Sequence, residues 1–277
     1  MKKIIPLVLS MISLITTQAQ WFNEPIIELD TARLQVMYQL KFIDDTNHLN
    51  FTKTEKQILL TGTLASSYES YNYYKFQKTG RKNAQEGNLI EWLQTGISAT
   101  DYMCSFYYEI YKLHSTNTIV HTERIFNLDY FRYEENGNIF KWEMGHDTDT
   151  IIGFVCQNAF CNFSGRLWEA WFASDIPYRD GPYKFCGLPG LILKISDTKG
   201  HYKFEALSLE IPHQYTLVEY HDHDFVCTSK KEFFKVYDKN KKNITGVVLE
   251  SGGDANVAQR ASQYEASRNN PLELDRK

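Results

Sequence analysis

The stretch GPYKFCGLPGLIL at residues 181–193 carries three glycines and two prolines directly before an apolar run. Pro182 and Pro189 each fix their own φ at about −65° and bias the preceding residue toward extended backbone. Gly187 and Gly190 can adopt positive φ, so the chain can turn sharply twice. The apolar residues that follow alternate as in a strand. The stretch therefore predicts a rigid corner that leads into a buried strand.

Such a corner can serve either of two purposes. As architecture, it fixes the register of a sheet and needs no ligand. As a site, exposed glycine backbone lets a ligand or a partner chain approach closely. The sequence leaves both interpretations open.

Period-two alternation of apolar residues dominates the chain upstream of the corner. It is clearest in residues 34–42, where apolar side chains stand two apart between mostly polar ones. This pattern is typical of a half-buried strand. Further strand candidates are residues 56–61, 73–78, 105–113, 119–133, 139–143, 154–164, 166–173, 191–195 and 202–211. A helix is expected around residues 86–97, and residues 229–237 are polar with helical spacing or little periodicity.

This arrangement predicts a mainly β fold with a single domain. We expect a strongly curved antiparallel sheet with a few helices, because turn signals separate consecutive strand candidates and glycine corners favour curvature. By analogy with periplasmic lipoprotein carriers, the preferred architecture is an open half-barrel. The alternative is a β-sandwich.

The N-terminus predicts export. Lys2 and Lys3 precede a short apolar segment and a small-residue cleavage site ending at Ala19, the layout of a signal peptide. We therefore predict a signal peptide at residues 1–19, a β domain at 20–245 and a polar C-terminal tail at 246–277, helical or partly disordered. The apolar segment is shorter than the roughly 20 residues that span a bilayer, so no transmembrane span is expected.

Charge and cysteine content narrow the functional classes. The formal net charge is −4, and removal of Lys2 and Lys3 would lower it to −6, which argues against a nucleic-acid partner. Five cysteines leave at least one thiol without a partner in the chain. A disulfide between Cys161 and Cys186 is conceivable, because the thiols of exported proteins tend to oxidise.

The sequence offers few elements of catalytic chemistry. It contains no His-Glu-x-x-His, Gly-x-Ser-x-Gly or phosphate-binding glycine motif, and no cofactor is predicted. His221 and His223 stand two apart and would share a face if they lay on a strand, where they could bind a divalent metal. The interpretation favoured for this run is a solvated polar loop.

The strand before the corner is unusual because Trp168 and Trp171 point to opposite faces. A strand with one solvated face rarely places a large ring on it, so either both faces are covered or one lines a cavity or interface. Arg166 opens the same strand. Ordinary packing and a binding surface both remain open.

The corner also resembles a known family. Gly187 to Ile192 spells GLPGLI, and the run from Cys156 to Asp197, CQNAFCNFSGRLWEAWFASDIPYRDGPYKFCGLPGLILKISD, is similar to the core of the GLPGLI family, also called Porph_ging. The segments VMYQLKFIDD and NNPLEL resemble the family's ends. Asn158 stands where the resemblance predicts a lysine, and Cys161 and Cys186 look like additions.

The resemblance implies an exported protein of a kind found mainly in Bacteroidota, without an assigned activity, and often encoded beside TonB-dependent outer-membrane receptors. We expect a non-enzymatic binding or accessory protein, periplasmic or associated with the outer membrane, with a TonB-dependent receptor or an apolar small molecule or lipid as partner. The alternative is a metal-dependent periplasmic hydrolase that uses His221 and His223. The predicted ligand- or partner-binding residues are Arg166, Trp168, Trp171, Pro182, Gly187, Leu188, Pro189 and Gly190.

Overall fold

The computed structural model describes residues 22, 24–96, 103–126, 128–212 and 215–276, so the predicted signal peptide lies outside the described residues. The strands are β1 (Ile26–Thr31), β2 (Leu34–Phe42), β3 (Lys53–Thr61), β4 (Ala65–Ser70), β5 (Tyr108–Leu113), β6 (Thr118–Arg124), β7 (Tyr130–Asn136), β8 (Glu143–Ile151), β9 (Phe154–Phe163), β10 (Arg166–Ala173), β11 (Leu191–Asp197), β12 (Tyr202–Glu210), β13 (Leu217–His221) and β14 (Phe225–Cys227). The helices are α1 (Tyr71–Gln85), α2 (Leu89–Glu91, continued by a π-helix at Trp92–Gly96), α3 (Lys230–Lys242), α4 (Ile244–Glu250) and α5 (Ala255–Ser267).

One large open sheet organises the chain. It has twelve strands in the order β14-β7-β6-β5-β4-β3-β2-β12-β11-β10-β9-β8, so β14 and β8 are its edges. Its neighbours pair antiparallel except β14 and β7, which run parallel. β1 and β13 form a separate two-stranded sheet. The predictions of a mainly β fold and of an open antiparallel sheet are confirmed.

The alternation in β2 has the predicted consequence. Its inward side chains are nearly inaccessible to solvent, from Leu34 at 5% exposed to Tyr38 at 0%, and the residues between them are half-buried or exposed. Full burial of an apolar side chain of this size contributes about 1.5–3 kcal/mol. β2 pairs with β12 on one side and β3 on the other, so these side chains lie in the middle of the sheet and of the core.

The loop between β10 and β11 fills the concave side of the sheet. Its Phe185 ring packs 4.8 Å from the ring of Trp168 on β10, and its Tyr183 ring packs 5.1 Å from that of Tyr108 on β5. One loop thus contacts strands from both halves of the sheet. Since these strands stand far apart in the sheet order, the sheet must curve around the loop.

A second layer covers part of the convex side. Tyr71 and Tyr74 of α1 pack on a smaller core formed mainly by β3, β4 and β13. The prediction of a strand at residues 73–78 is therefore wrong, because the aromatic residues here recur at helical spacing and bury one face of a helix. The helix expected around residues 86–97 is present as α2 and the π-helix.

Buried polar side chains lie between α1 and the sheet. The Glu109 carboxylate accepts hydrogen bonds from Tyr111 and Gln77 and lies 2.6 Å from Nδ1 of His221. Although burial alone would raise it, His221 holds the pKa of Glu109 below its usual value. Glu69, directly opposite Glu109 in the β4–β5 pair, has its pKa raised well above normal by burial and by the Glu109 charge. At pH values between these two pKa values, Glu69 is therefore protonated while Glu109 is ionised.

Replacement of Glu69 by Gln should stabilise the protein at neutral and alkaline pH. A folded-state pKa above the unfolded value gives stability that is present below about pH 4.5 and lost as pH rises toward the folded pKa. Glutamine mimics the protonated acid and does not titrate. Urea unfolding of both proteins from pH 4 to 9 should show an advantage for E69Q that grows with pH, and an equal stability difference at all pH values would contradict this account.

The last residues of the chain are anchored in the main core. Arg166, only 5% exposed, donates to the carbonyls of Leu272 and Pro271, to Oδ1 of Asn270 and to Asp197. Leu272 joins the main hydrophobic cluster. The predicted tail at 246–277 thus comprises most of α4, the largely exposed α5 and a terminal segment that packs against the β domain.

Glu273 is held in place by two cations. Its carboxylate lies 2.6 Å from Nζ of Lys184 and 2.6 Å from Nζ of Lys230, and it accepts a hydrogen bond from Tyr183. Although burial opposes ionisation, both lysines keep the pKa of Glu273 well below normal. Lys184 has no solvent-exposed side-chain surface and also pairs with Glu135 at 2.5 Å. Removal of Glu273 therefore leaves buried positive charge without its full partner.

Replacement of Glu273 by Gln should lower the free energy of unfolding by about 3–5 kcal/mol, the usual effect of breaking a buried ion pair from one side. Denaturant unfolding measures this loss. E134Q is the control, because the half-exposed pair of Glu134 with Arg132 should contribute less than about 1 kcal/mol. Equal effects of the two substitutions would contradict the buried network.

Candidate functional site: the corner groove

The corner is a double turn fixed by backbone contacts. Gly187 adopts φ +95° and its N–H donates to the carbonyl of Arg179 at 3.0 Å. This confirms the expected positive φ at Gly187. The same expectation is wrong at Gly190, which has no positive φ. Glycine is needed there because a Cβ would lie 2.2 Å from the carbonyl oxygen of Ala173.

A buried ion pair joins the corner to β5. Nζ of Lys112 lies 2.5 Å from Oδ1 of Asp180 and 2.5 Å from the carbonyl oxygen of Gly181, with the carbonyl oxygen of Phe185 at 3.3 Å. Both charged side chains are at most 4% exposed. Burial alone would raise the pKa of Asp180, but the charge and the hydrogen bond of Lys112, together with the nearby His114 imidazole, hold it well below normal. The ammonium group thus ties β5 to three points of the loop.

A groove of about 770 Å³ lies beside this ion pair. One wall is the β5–β6 hairpin with its turn, a second is the segment that follows β7, and the third is the corner itself. We call it the corner groove. Its lining comprises Gly62, Thr63, Lys112, Leu113, His114, Asn117, Thr118, Ile119, Gly137, Asn138, Phe140, Trp142, Pro177, Tyr178, Arg179, Cys186 and Gly187. The volume is within the range of small-molecule sites, about 300–1,000 Å³.

Side chains of the groove hold the corner backbone. The indole N–H of Trp142 donates to the carbonyl of Cys186 at 2.8 Å, and the guanidinium of Arg179 donates to the carbonyl of Gly187 at 2.9 Å. Trp142 also stacks on Phe140, with ring centroids 5.9 Å apart. The corner wall is therefore positioned before any ligand arrives.

His114 is the titratable side chain at the groove surface. Its Nδ1 lies 3.2 Å from the carbonyl oxygen of Thr63, and its Nε2 lies 3.7 Å from Oδ2 of Asp180. The nearby Asp180 carboxylate raises the pKa of His114 above its usual value. In the same groove, burial raises the pKa of the Cys186 thiol to about 11, which makes it a protonated, weakly reactive group at neutral pH.

The structure places one of the eight predicted binding residues, Gly187, in the groove lining. Trp168 is fully buried, and Pro182, Leu188 and Gly190 are buried as well. Arg166 is occupied by the C-terminal segment. A binding role for these residues stays a prediction, and the contacts seen here are packing contacts.

Trp171 and Pro189 lie nearer the surface. Trp171 is half-buried on the convex face of β10, where Nζ of Lys194 lies 4.8 Å from its ring. The lysine explains how a large ring is accommodated on a solvated face. Pro189 is exposed.

The two histidines after the corner are buried, so their interpretation as a solvated loop is wrong. His221 ends β13 and faces Glu109, while His223 lies beyond the strand. His223 stacks on Tyr130, with centroids 3.7 Å apart, and contacts Glu24. Burial lowers the pKa of His223 to about 4. Within the described ranges, no group of three or more His, Cys, Asp or Glu side chains could hold a metal ion.

All five cysteines are free, and the disulfide considered between Cys161 and Cys186 does not form. Cys161 points from β9 into the main core opposite Trp168, whereas Cys186 lines the corner groove. The two thiols thus lie in different parts of the fold.

Sequence reasoning missed Lys112, His114 and Asp180 as a unit. Lys112 sits in a strand whose other buried residues are largely apolar or aromatic, and it is separated from Asp180 by 68 residues. The available signal was a lysine that shares a strand face with Tyr108 and Ile110, because a lysine on such a face requires a buried acidic partner.

A family model described as a protein of unknown function (Porph_ging) matches residues 164–194, which include the corner. No curated protein matches the chain. Two solved structures of PNGF-II, in space groups P21 and C2, are similar with a TM-score of 0.52 each and sequence identities of 12% and 13%. Both alignments cover 76% of this chain, and they cover 34% and 33% of the PNGF-II chains.

The chain thus spans about a third of the length of the solved structures it matches, and this likeness concerns the fold alone. The family match supports the resemblance seen in the sequence over the stretch from β10 to β11. None of the helices in the described part of the chain combines the length and the apolar character needed to cross a membrane.

Replacement of Asp180 by Asn should lower the free energy of unfolding by about 3–5 kcal/mol at neutral pH, because Lys112 is left buried without its counter-charge. Asp180 has a depressed pKa, so its contribution is present above about pH 3.8 and is lost as pH falls below that value. Chemical unfolding of wild type and D180N at pH 7 and pH 3 measures the stability difference and its decrease at low pH. Equal stability at pH 7 would contradict the role of this ion pair.

Replacement of His114 by Gln should have a pH dependence of the opposite sign. The raised pKa means that the stability supplied by protonated His114 is fully present below about pH 6.5 and lost as pH rises through the folded value. The difference in thermal midpoint between wild type and H114Q should therefore shrink from pH 5.5 to pH 8.5. The matched control is His146→Gln, which replaces an exposed histidine outside the groove lining.

Proposed function

We propose that this protein is an exported, non-enzymatic binding protein of the bacterial envelope that holds a small molecule in the corner groove. We further propose that it works beside a TonB-dependent outer-membrane receptor. The groove carries the first proposal, because its volume, its mixed lining and its prefixed corner wall are properties of ligand sites. The predicted signal peptide and the family resemblance support the second.

Aromatic and aliphatic side chains give the groove affinity for an apolar ligand body. Phe140, Trp142 and Tyr178 supply rings, and Leu113 and Ile119 supply aliphatic surface. Burial of apolar surface contributes about 25 cal/mol per Å², so these side chains favour a ligand with an apolar body. Asn117, Asn138 and Thr118 provide neutral hydrogen-bonding groups that can orient a ligand.

The chemistry of the groove favours binding over covalent catalysis. Cys186 is the thiol in its lining, and its pKa of about 11 keeps it in the poorly nucleophilic form. Asp180 is paired with Lys112, and His114 contacts Asp180 and the Thr63 carbonyl. These polar groups already have partners that hold the wall together.

The groove proposal is tested by filling the groove. Asn138 is exposed and lines it, so Asn138→Trp should occupy ligand space without disturbing the core. Asn162→Trp is the matched control, because Asn162 is exposed on β9 and does not line the groove. Protein purified from its native envelope should carry a small molecule in native mass spectrometry, and N138W should lose it while N162W retains it.

Retention of the same molecule by a folded N138W protein would contradict a site in the groove. The receptor proposal is tested separately, by cross-linking tagged protein in the native envelope. Recovery of a TonB-dependent receptor is expected, and its absence from repeated cross-linking would count against that partner without affecting the groove.

A further inference from the structure

The charged side chains that line the corner groove all share one sign. They are Lys112 and Arg179, joined by the titratable imidazole of His114, and no Asp or Glu of the described residues belongs to the lining. Asp180, the acidic group that contacts Lys112 and His114, is only 1% exposed. An entering ligand thus meets a neutral-to-positive surface.

Arg179 holds the uncompensated charge. The Lys112 ammonium is matched by Asp180 at 2.5 Å and contributes little net charge to the groove. Arg179 is exposed, and within the described residues its guanidinium donates a hydrogen bond to the carbonyl of Gly187, an uncharged group. No carboxylate of the described ranges forms an ion pair with it. Its guanidinium therefore retains N–H donors and one full positive charge at the groove.

His114 adds a second polar group on the other side of the ion pair. Asp180, Lys112 and the Thr63 carbonyl are the charged and polar groups that face it. Its imidazole is partly exposed, with 32% of the side-chain surface accessible. The groove therefore offers about one unit of positive charge in Arg179, a partly exposed imidazole in His114 and an apolar lining that includes three rings.

We infer that the corner groove takes an amphipathic monoanion, a carboxylate with an apolar body, whose carboxylate pairs with Arg179 while its body packs on Phe140, Trp142 and Tyr178. The planar guanidinium fork matches a carboxylate, and one uncompensated charge matches one negative charge. This inference rests on the proposed function and specifies its ligand class.

Three probes of equal chain length separate the contributions of charge and apolar surface: decanoate, decanol and decylammonium. Isothermal titration calorimetry with mature wild-type protein, below the aggregation concentration of each probe, should give decanoate the highest affinity, roughly tenfold or more above decanol. Arg179→Gln should reduce the ratio of decanoate affinity to decanol affinity by roughly tenfold or more. Arg33→Gln, at an exposed arginine outside the lining, is the matched control.

The outcomes are distinguishable. If decanol or decylammonium binds as tightly as decanoate and N138W abolishes that binding, the inferred anion specificity is wrong and the groove site stands. If decanoate binding is unaffected by both R179Q and N138W, the ligand lies elsewhere and both proposals fail. If none of the probes binds, the inferred ligand class is wrong, and the copurification experiment decides the groove proposal independently.

Discussion

The ion pair between Lys112 and Asp180 is the interaction on which the corner depends. An ammonium group in a protein core costs several kcal/mol in lost hydration, so it persists there only with a counter-charge and further acceptors. Lys112 has both, in Asp180 and in the carbonyls of Gly181 and Phe185. Because Lys112 belongs to β5 and its acceptors belong to the loop after β10, the pair fastens that loop across the concave side of the sheet.

The groove follows from this arrangement. The fastened loop places Cys186 and Gly187 opposite the β5–β6 hairpin, and Trp142 and Arg179 bind the loop carbonyls on its outer side. The Lys112 charge is neutralised by Asp180, so the positive charge available to a ligand resides mainly on Arg179. A single structural ion pair thus shapes the cavity and also determines its electrostatic character.

Much of the fold could be predicted from local sequence, because strand alternation is a local property. β2 and the corner are examples: the period of two in residues 34–42 and the Gly-Pro spacing at residues 181–193 act over a few residues. The strand prediction for residues 73–78 failed because a tyrosine-rich segment fits both the period of a strand and that of a helix. Packing on β3 and β4 selected the helix.

The site could be predicted only in part. Gly187 could be predicted from the local sequence, since positive φ and exposed backbone favour glycine. No local pattern marks Lys112, His114 and Asp180 as a site. They come together only because β5 is paired within the sheet and the loop after β10 returns to it. The partnership of His221 with Glu109 is hidden for the same reason, being formed between residues 112 positions apart.

Hydrogen exchange of a Lys112→Met variant tests the central claim most directly. The amides of Gly187 and Ile192, which donate to the carbonyls of Arg179 and Asp180, report on the corner, and the amides of β2 report on the sheet. We predict that K112M accelerates exchange at the two corner amides while β2 remains protected. Unchanged protection at Gly187 and Ile192 in the folded variant would show that the corner stands without Lys112 and would contradict the account.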